Sequence, residues 1–332
     1  VGLRGRYDRP FWRDTPNAPT TPEEKAKLIR EAVDRQIAIV RKGWPQPDPM
    51  FIMNSWMEGS ALMRDGLLKL PPEVTLVWAD DGAGLLRDGG QISRGQGIYY
   101  HTGVLGGNAN NFSERVPIER VYGELGRAAA AGATRYMLLN PANLRPVTMS
   151  TRAVMDVAWN VRSGGPAEWL SLWSREQFGV EAAPAVERCY RAYYAAPARY
   201  GDGEADTMAD DFYHQLGRDL LVRHMRRDES MPVRFHWFKA ADYRDYTSKV
   251  VKMCREAEDR WLQAERLVEE ARPLVPAERG EFFQAHVATQ VDLHLHLNRM
   301  LRHVAEAASP GAPIASQRVS VEAAALEMRA AL

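Results

Sequence analysis

An α/β half followed by an all-helical half is the fold class this sequence predicts, and three observations predict it. Apolar runs that do not alternate, at Val74–Trp78, Gly97–Tyr100 and Arg135–Leu139, read as strands buried on both faces, the pattern of a parallel sheet. Helix-period stretches alternate with strands along this half, and a polar loop after Asp80 and Asp81 joins the runs at 74–78 and 97–100. Beyond Val161-Arg162-Ser163-Gly164-Gly165-Pro166, a linker by composition, nearly everything reads as helix, punctuated by Pro184, Pro232, Pro273 and Pro310. The expected division is therefore 1–160, α/β, and 161–332, an up-and-down helical bundle.

Taken in order, Val1–Arg4 reads as a short strand ending on Arg4, Gly5 and Asp8. Thr21-Pro22-Glu23-Glu24 has the form of a helix start: a capping Thr, Pro at the first position and early acidic residues. Ile29, Val33, Ile37 and Val40 then recur at helical spacing. Met50–Met53 is a second strand, leading into Asn54, Trp56 and Glu58 and a brief helix closed by Gly66 and Pro71-Pro72. The strands at 74–78 and 97–100 follow, then an Ala-rich helix from Glu119 to Ala131 and the fifth strand, which runs into Asn140 and Asn143. Five such units fit either a doubly wound sheet or the latter part of an eight-stranded barrel. The helical half reads as Ala167–Phe178, Ala185–Ala196, a stretch around Asp206–Arg227, Ala240–Ala271, Pro276–Ala308 and Val319–Leu332.

Composition excludes several classes. Lys plus Arg (43) equals Asp plus Glu (43), so no global field draws in nucleic acid or an anionic membrane. No run of about 18 apolar residues offers a membrane-spanning helix. Cys189 and Cys254 pair at most once, which is no disulfide framework. Residue 1 reads as the end of a strand already under way, so a longer chain is expected. On that reading secretion or a periplasmic location follows if the upstream part carries a signal peptide, and a homodimer is compatible with the composition.

In a parallel α/β sheet, ligands bind at the carboxyl ends of strands, where loops converge on a rigid support. Those ends supply Arg4, Asp8, Trp56, Glu58, Asp80, Asp81, Tyr100, His101, Asn140 and Asn143. Several carboxylates suit hydrolysis of a glycosidic bond, one protonating the leaving oxygen while another activates water or attacks carbon. Trp12, Trp56, Trp78, Tyr99 and Tyr100 are aromatic neighbours able to stack on sugar rings, with core packing the better reading of Trp78. The bland alternative is that Asp80 and Asp81 cap the following turn and His101 packs with a satisfied hydrogen bond. Gly82-Ala83-Gly84 begins like a dinucleotide fingerprint, but the third glycine is absent and Asp80 and Asp81 would repel a pyrophosphate. His294 and His296, two apart on a helix, point to different faces, and His303 is two turns from His296. These and His286 read as packing or solvated histidines, and no metal or organic cofactor is expected. Tyr190, Tyr193 and Tyr194, with Phe235, Trp237 and Phe238, read as bundle core or seam.

The same strand ends resemble glycoside hydrolase family 115, the xylan α-1,2-glucuronidases. Arg4-Gly5-x-x-Asp8 looks like that family's Arg-Gly-x-x-Asp, and Glu58 sits where it carries an active-site Glu about fifty residues later. Val74-Thr-Leu-Val-Trp-Ala-Asp-Asp81 is similar to its strand with a following acidic pair. Gly97-Ile-Tyr-Tyr-His101 with Gly106-Gly107, and Asn140, Leu144, Pro146 and Ala158-Trp159, echo two further blocks in the same order. The resemblance covers residues 1–160 and implies the C-terminal part of a (β/α)8 TIM-like barrel followed by a helical bundle. It implies Glu58 and Asp8 as catalytic carboxylates, with His101, Arg4, Asp81, Asp80, Tyr100, Asn140 and Trp56 binding a plant polysaccharide or oligosaccharide. The implied reaction is inverting removal of α-1,2-linked glucuronic or 4-O-methylglucuronic acid branches. There are three departures from the pattern: Gly82 replaces an Asn, Met57 a Lys, and Thr102-Gly103-Val104 the aromatic and acidic residues after His. They motivate the alternative of a carbohydrate-binding relative with altered or lost activity.

Overall fold

The computed structural model describes every residue except 7, 8, 15, 45–47, 57, 105–107, 161–163, 233–237 and 332, and all side chains of the described residues except that of residue 58. By internal contact the chain divides into two units. One holds 1–102, 120–140 and 154–163; the other holds 103–119, 141–153 and 164–332. The sequence boundary at 160 falls beside the last of these divisions. The two segments after Thr102 and Asn140 are grouped with the helices.

The first unit is built on four parallel strands in sequential order: β1 (Phe51–Ser55), β2 (Val74–Ala79), β3 (Gly97–His101) and β4 (Tyr136–Asn140). Helix α1 (Pro22–Gly43) opens on a full capping box: Glu24 N–H donates to the Thr21 hydroxyl at 3.2 Å, and the Thr21 N–H to the Glu24 carboxylate at 3.5 Å. Its buried stripe, Ala26, Ile29, Val33 and Ile37, packs with Phe51, Met53 and Val74 in one core cluster. Short α2 (Glu58–Arg64) joins β1 to β2, and α3 (Ile118–Ala130) precedes β4.

One expectation needs correction. Val1–Gly5 forms no strand, so the sheet has four strands rather than five among the described residues. Its backbone groups find other partners: the Val1 amine donates to Ile52 C=O at 2.8 Å, and the Gln36 side chain serves both Gly2 N–H and C=O, at 2.9 and 2.7 Å. Between β2 and β3 lies the polar loop expected from the sequence, with no helix in it. Gly82, Gly84, Gly89, Gly90 and Gly95 all take positive φ there, which no helix accommodates. Side chains of α3 hold that loop instead: Arg120 donates to Ala83 C=O at 2.6 Å, Glu124 accepts from Leu86 N–H at 3.0 Å, and Arg127 forks onto Asp88 with both contacts at 2.8 Å.

The second unit is helical: α4 (Thr148–Trp159) begins in it, followed by α5 (Pro166–Phe178), α6 (Ala183–Ala195), α7 (Asp210–Arg226), α8 (Tyr243–Ala271), α9 (Gly280–Phe283), α10 (Thr289–Ala308) and α11 (Ile314–Ala331). A π-helical turn at Gln284–Ala288 joins α9 to α10. Helix α10 packs on α7, α8 and α11. Tyr190 and Tyr193 are buried on α6, and Phe238 packs edge-on against Tyr246 at 5.0 Å; Phe235 and Trp237 lie outside the described residues. What ties segments 103–119 and 141–153 to the helices is a set of buried polar contacts. Asp210 accepts from Asn111 and Phe112 N–H and from the Ser113 hydroxyl at 2.9, 2.8 and 2.7 Å. Gln290 accepts from Glu114 N–H at 2.9 Å and donates to Pro146 C=O at 2.9 Å. The Glu114 carboxylate accepts from Met149 and Ser150 N–H at 2.8 and 3.2 Å.

Glu114 makes this unit sensitive to pH. Burial pushes its carboxyl up to about 7, against the pull of hydrogen bonds from Ser150 and Met149. An unfolded Glu titrates near about 4.3, so the folded state holds an extra proton between those values. The stability this group contributes is present below the unfolded pKa and is lost as pH rises through about 7. Glu114→Gln removes the titration. Relative to wild type, its unfolding free energy should improve by roughly 2–4 kcal/mol between pH 4 and pH 8, measured by urea denaturation; a difference independent of pH would show Glu114 ionised in the fold.

Candidate active site at the strand ends

The site grows from the register of the sheet. Residues paired across parallel strands share a face, and residues two apart on one strand share it too. His101 pairs with Asn140 and Tyr99 with Leu138 and Ala79, so Tyr99, His101 and Asn140 stand on one face. Tyr100 stands on the other. It is fully buried and its hydroxyl has no hydrogen-bond partner, so its assignment to sugar binding is corrected. The residue that fits the role is Tyr99, the single half-exposed side chain of β3. Strict alternation counted back from His101 points to it.

Beside these, the Trp56 ring lies 5.1 Å from the His101 ring and 6.0 Å from Tyr99, while Tyr99 and His101 are 4.4 Å apart. The Asn140 amide donates to the Tyr99 hydroxyl at 2.8 Å. On the other side of Trp56, a cavity of about 290 Å³ is lined by Leu3, Arg4, Asn54, Trp56 and Gly59. Arg4, Trp56, His101 and Asn140 are thus gathered at the carboxyl ends of β1, β3 and β4. Glu58 opens α2 directly after β1, but its side chain and all of Asp8 lie outside the described residues, as do Met57, Gly106 and Gly107.

Asp80 turns inward, and Asp81 is half-buried beside it. The Asp80 carboxylate is fully buried and accepts four hydrogen bonds: at Oδ1 from Gly82 N–H (3.0 Å) and the His101 ring Nδ1–H (2.6 Å), at Oδ2 from Gly84 N–H (3.1 Å) and His101 N–H (2.9 Å). Gly82 and Gly84 adopt φ of +82° and +85°, which is how one carboxylate can collect both amides. Asp81 accepts from Ala83 and Leu85 N–H at 2.8 and 3.1 Å. Asp80 has no freedom to serve as a sugar ligand and acts through His101, while Asp81 shapes the loop through Oδ1. The glycines that look like a phosphate loop donate to an internal carboxylate instead. A carboxylate can only accept, so it fixes the proton of a neutral His101 on Nδ1 and leaves Nε2 as an acceptor.

Other aromatic and histidine residues have structural partners. Trp78 is buried, its indole donating to Gln96 at 2.8 Å, and Trp12 packs under the Lys25 ammonium at 4.7 Å. His294 is buried with its pKa driven down to about 3 by desolvation; it stacks on Trp261 at 4.8 Å, its Nε2 2.9 Å from the Ser113 hydroxyl. His296 meets Glu327 at 2.6 Å and His303 meets Glu306 at 3.4 Å. Among the described residues no group of three His, Cys, Asp or Glu is arranged to hold a metal.

Comparison with known proteins gives a family and a fold. The model of glycosyl hydrolase family 115 matches residues 1–201. A solved structure, the family GH115 4-O-methyl-α-glucuronidase BtGH115A with specificity for decorated arabinogalactans, matches with a TM-score of 0.67 and 19% identity. The match covers 100% of this chain and 41% of that one, so this chain spans less than half of that enzyme's length. At 19% identity the likeness carries the fold and not the activity. No curated protein matches.

Replacing Asp80 tests its place in the loop. Asp80→Ala leaves three backbone amides and the His101 ring without their acceptor, an expected loss of roughly 3 kcal/mol or more in urea unfolding. Asp80→Asn keeps an acceptor oxygen and should lose clearly less. Equal and small losses in both would mean water replaces the carboxylate and the hub does not exist.

Proposed function

Because the chain belongs to glycosyl hydrolase family 115, we infer that the protein it forms removes α-linked glucuronic or 4-O-methylglucuronic acid branches from a plant polysaccharide. The observation that carries this reading is the strand-end cluster: His101 held by Asp80, with Trp56 and Tyr99 against it and Arg4 in the adjoining cavity. Two aromatic rings beside fixed polar groups are what a sugar ring needs, an apolar face to stack on and directed partners for its hydroxyls.

The carboxyl groups that the resemblance assigns to bond cleavage are Glu58 and Asp8, a reading supported by the burial of Asp80 among its own hydrogen bonds. One gives its proton to the leaving glycosidic oxygen as the C–O bond breaks; the other takes a proton from the water that attacks the anomeric carbon from the opposite face. That single displacement inverts the configuration and needs carboxyl groups roughly 6.5–9.5 Å apart. His101, its Nδ1–H given to Asp80, offers Nε2 to a sugar hydroxyl and orients the ring rather than transferring the proton of the reaction. The linkage is α-1,2 and the backbone is of the xylan type; BtGH115A, which acts on decorated arabinogalactans, makes that polymer the comparison substrate.

The test is release of uronic acid by the intact protein from glucuronoxylan and from glucuronidated arabinogalactan oligosaccharides, with anomeric configuration followed by NMR. Xylan fragments should lose their acidic branch with inversion, neutral arabinoxylan should be untouched, and Glu58→Gln should lower turnover by about 10²-fold or more. Binding of the same oligosaccharides without any release would instead identify a carbohydrate-binding relative, the reading favoured by Met57, Gly82 and Val104.

A further inference from the structure

The hydroxyl of Tyr99 has a direction that the strand-end geometry sets. A phenol oxygen carries one proton to give and two lone pairs to receive. Asn140 Nδ2–H occupies a lone pair at 2.8 Å, and among the described residues no protein group takes the phenol proton. The ring cannot swing away, since it is held against His101 at 4.4 Å and Trp56 at 6.0 Å. Tyr99 is the single half-exposed side chain of β3, so its ring is the one on that strand most open to a bound molecule, beside the Nε2 edge of His101. A held ring, an oxygen already served as acceptor and an unspent proton together make a fixed neutral donor.

We propose that the Tyr99 hydroxyl is a specificity-determining group, donating its proton to the carboxylate of the uronic acid while the Trp56 ring covers the sugar's apolar face. The proposal rests on the uronic acid reading above and goes beyond it by naming the group that distinguishes the acid from a neutral sugar. A carboxylate is the acceptor that rewards such a donor most, because hydrogen bonds to an ionised oxygen are about twice as strong as neutral ones. Asn140 is then a positioning residue: by donating to the phenol oxygen it turns the phenol proton toward the ligand.

Tyr99→Phe removes one oxygen and leaves the ring stack in place, so the melting temperature should barely move. For an oligosaccharide carrying a free glucuronic acid branch, kcat/KM should fall about 10- to 100-fold, the worth of one hydrogen bond to a charged group. For the same oligosaccharide methyl-esterified at that carboxyl, the loss should be only a few-fold. Equal losses on acid and ester would show that Tyr99 merely packs, and an unchanged rate on the acid would show that it does not touch the substrate; either overturns the proposal and leaves the reading of the function intact. A wild-type protein that neither cleaves nor binds any uronic acid substrate would overturn both.

Discussion

One buried carboxylate organises the strand ends. Asp80 is in the interior at the end of β2, where an unpaired charge would be untenable, and four hydrogen bonds from three residues satisfy it. Two come from loop glycines that only a left-handed backbone can aim inward. The other two come from His101, one from its main chain and one from its ring. The same group therefore closes the loop after β2, fixes the end of β3 beside it and selects the tautomer of the imidazole. Loss of any of the three would free the others, which is why a loop without a helix can sit between two parallel strands here. From the outside, α3 completes the restraint through Arg120, Glu124 and Arg127. In Asp88, the partner of Arg127, burial acts to raise the pKa, and the guanidinium together with backbone hydrogen bonds, that of Ile92 among them, outweighs it and holds the carboxyl below its usual range.

From this hub the chemistry of the site follows by parity. Tyr99 and His101 share the face that also carries Asn140, and Trp56 emerges from the end of β1 to close against both rings. Rigid aromatic walls with a directed donor and a directed acceptor suit a sugar better than a nucleotide or a metal. The helical unit has its own buried acids, Glu114 and Asp210, and these are spent on structure: they terminate loops on helices, and their carboxyls are raised by desolvation.

Much of this was legible in the residues. The capping box at Thr21, the apolar stripe of α1, the strands at β1 to β4 and the long helices from Pro166 onward are local patterns, and local patterns survive folding when the core face agrees with them. The role of Asp80 was legible only as an alternative, since a carboxylate at a strand end looks the same whether it faces a ligand or its own loop; the glycines two and four residues on were the discriminating signal. Composition does not separate Tyr100 from Tyr99, two adjacent tyrosines before a histidine, although period-two counting does. Val1–Arg4 has the composition of a strand, and no local signal reveals that Gln36, a residue of α1, takes the backbone bonds of Gly2. Segments 103–119 and 141–153 carry no local signal of their place, because Asp210 and Gln290, which bind them to the helices, are far away in sequence.

The account stands or falls on the His101–Asp80 bond. Long-range proton–nitrogen correlation spectra of histidine-labelled protein, assigned by comparison with His101→Gln and recorded at alkaline pH, report which ring nitrogen bears hydrogen. The account predicts a proton on Nδ1 of His101 and a bare Nε2, reverting to the ordinary mixture in Asp80→Ala. A His101 protonated on Nε2 in the wild-type protein would contradict it.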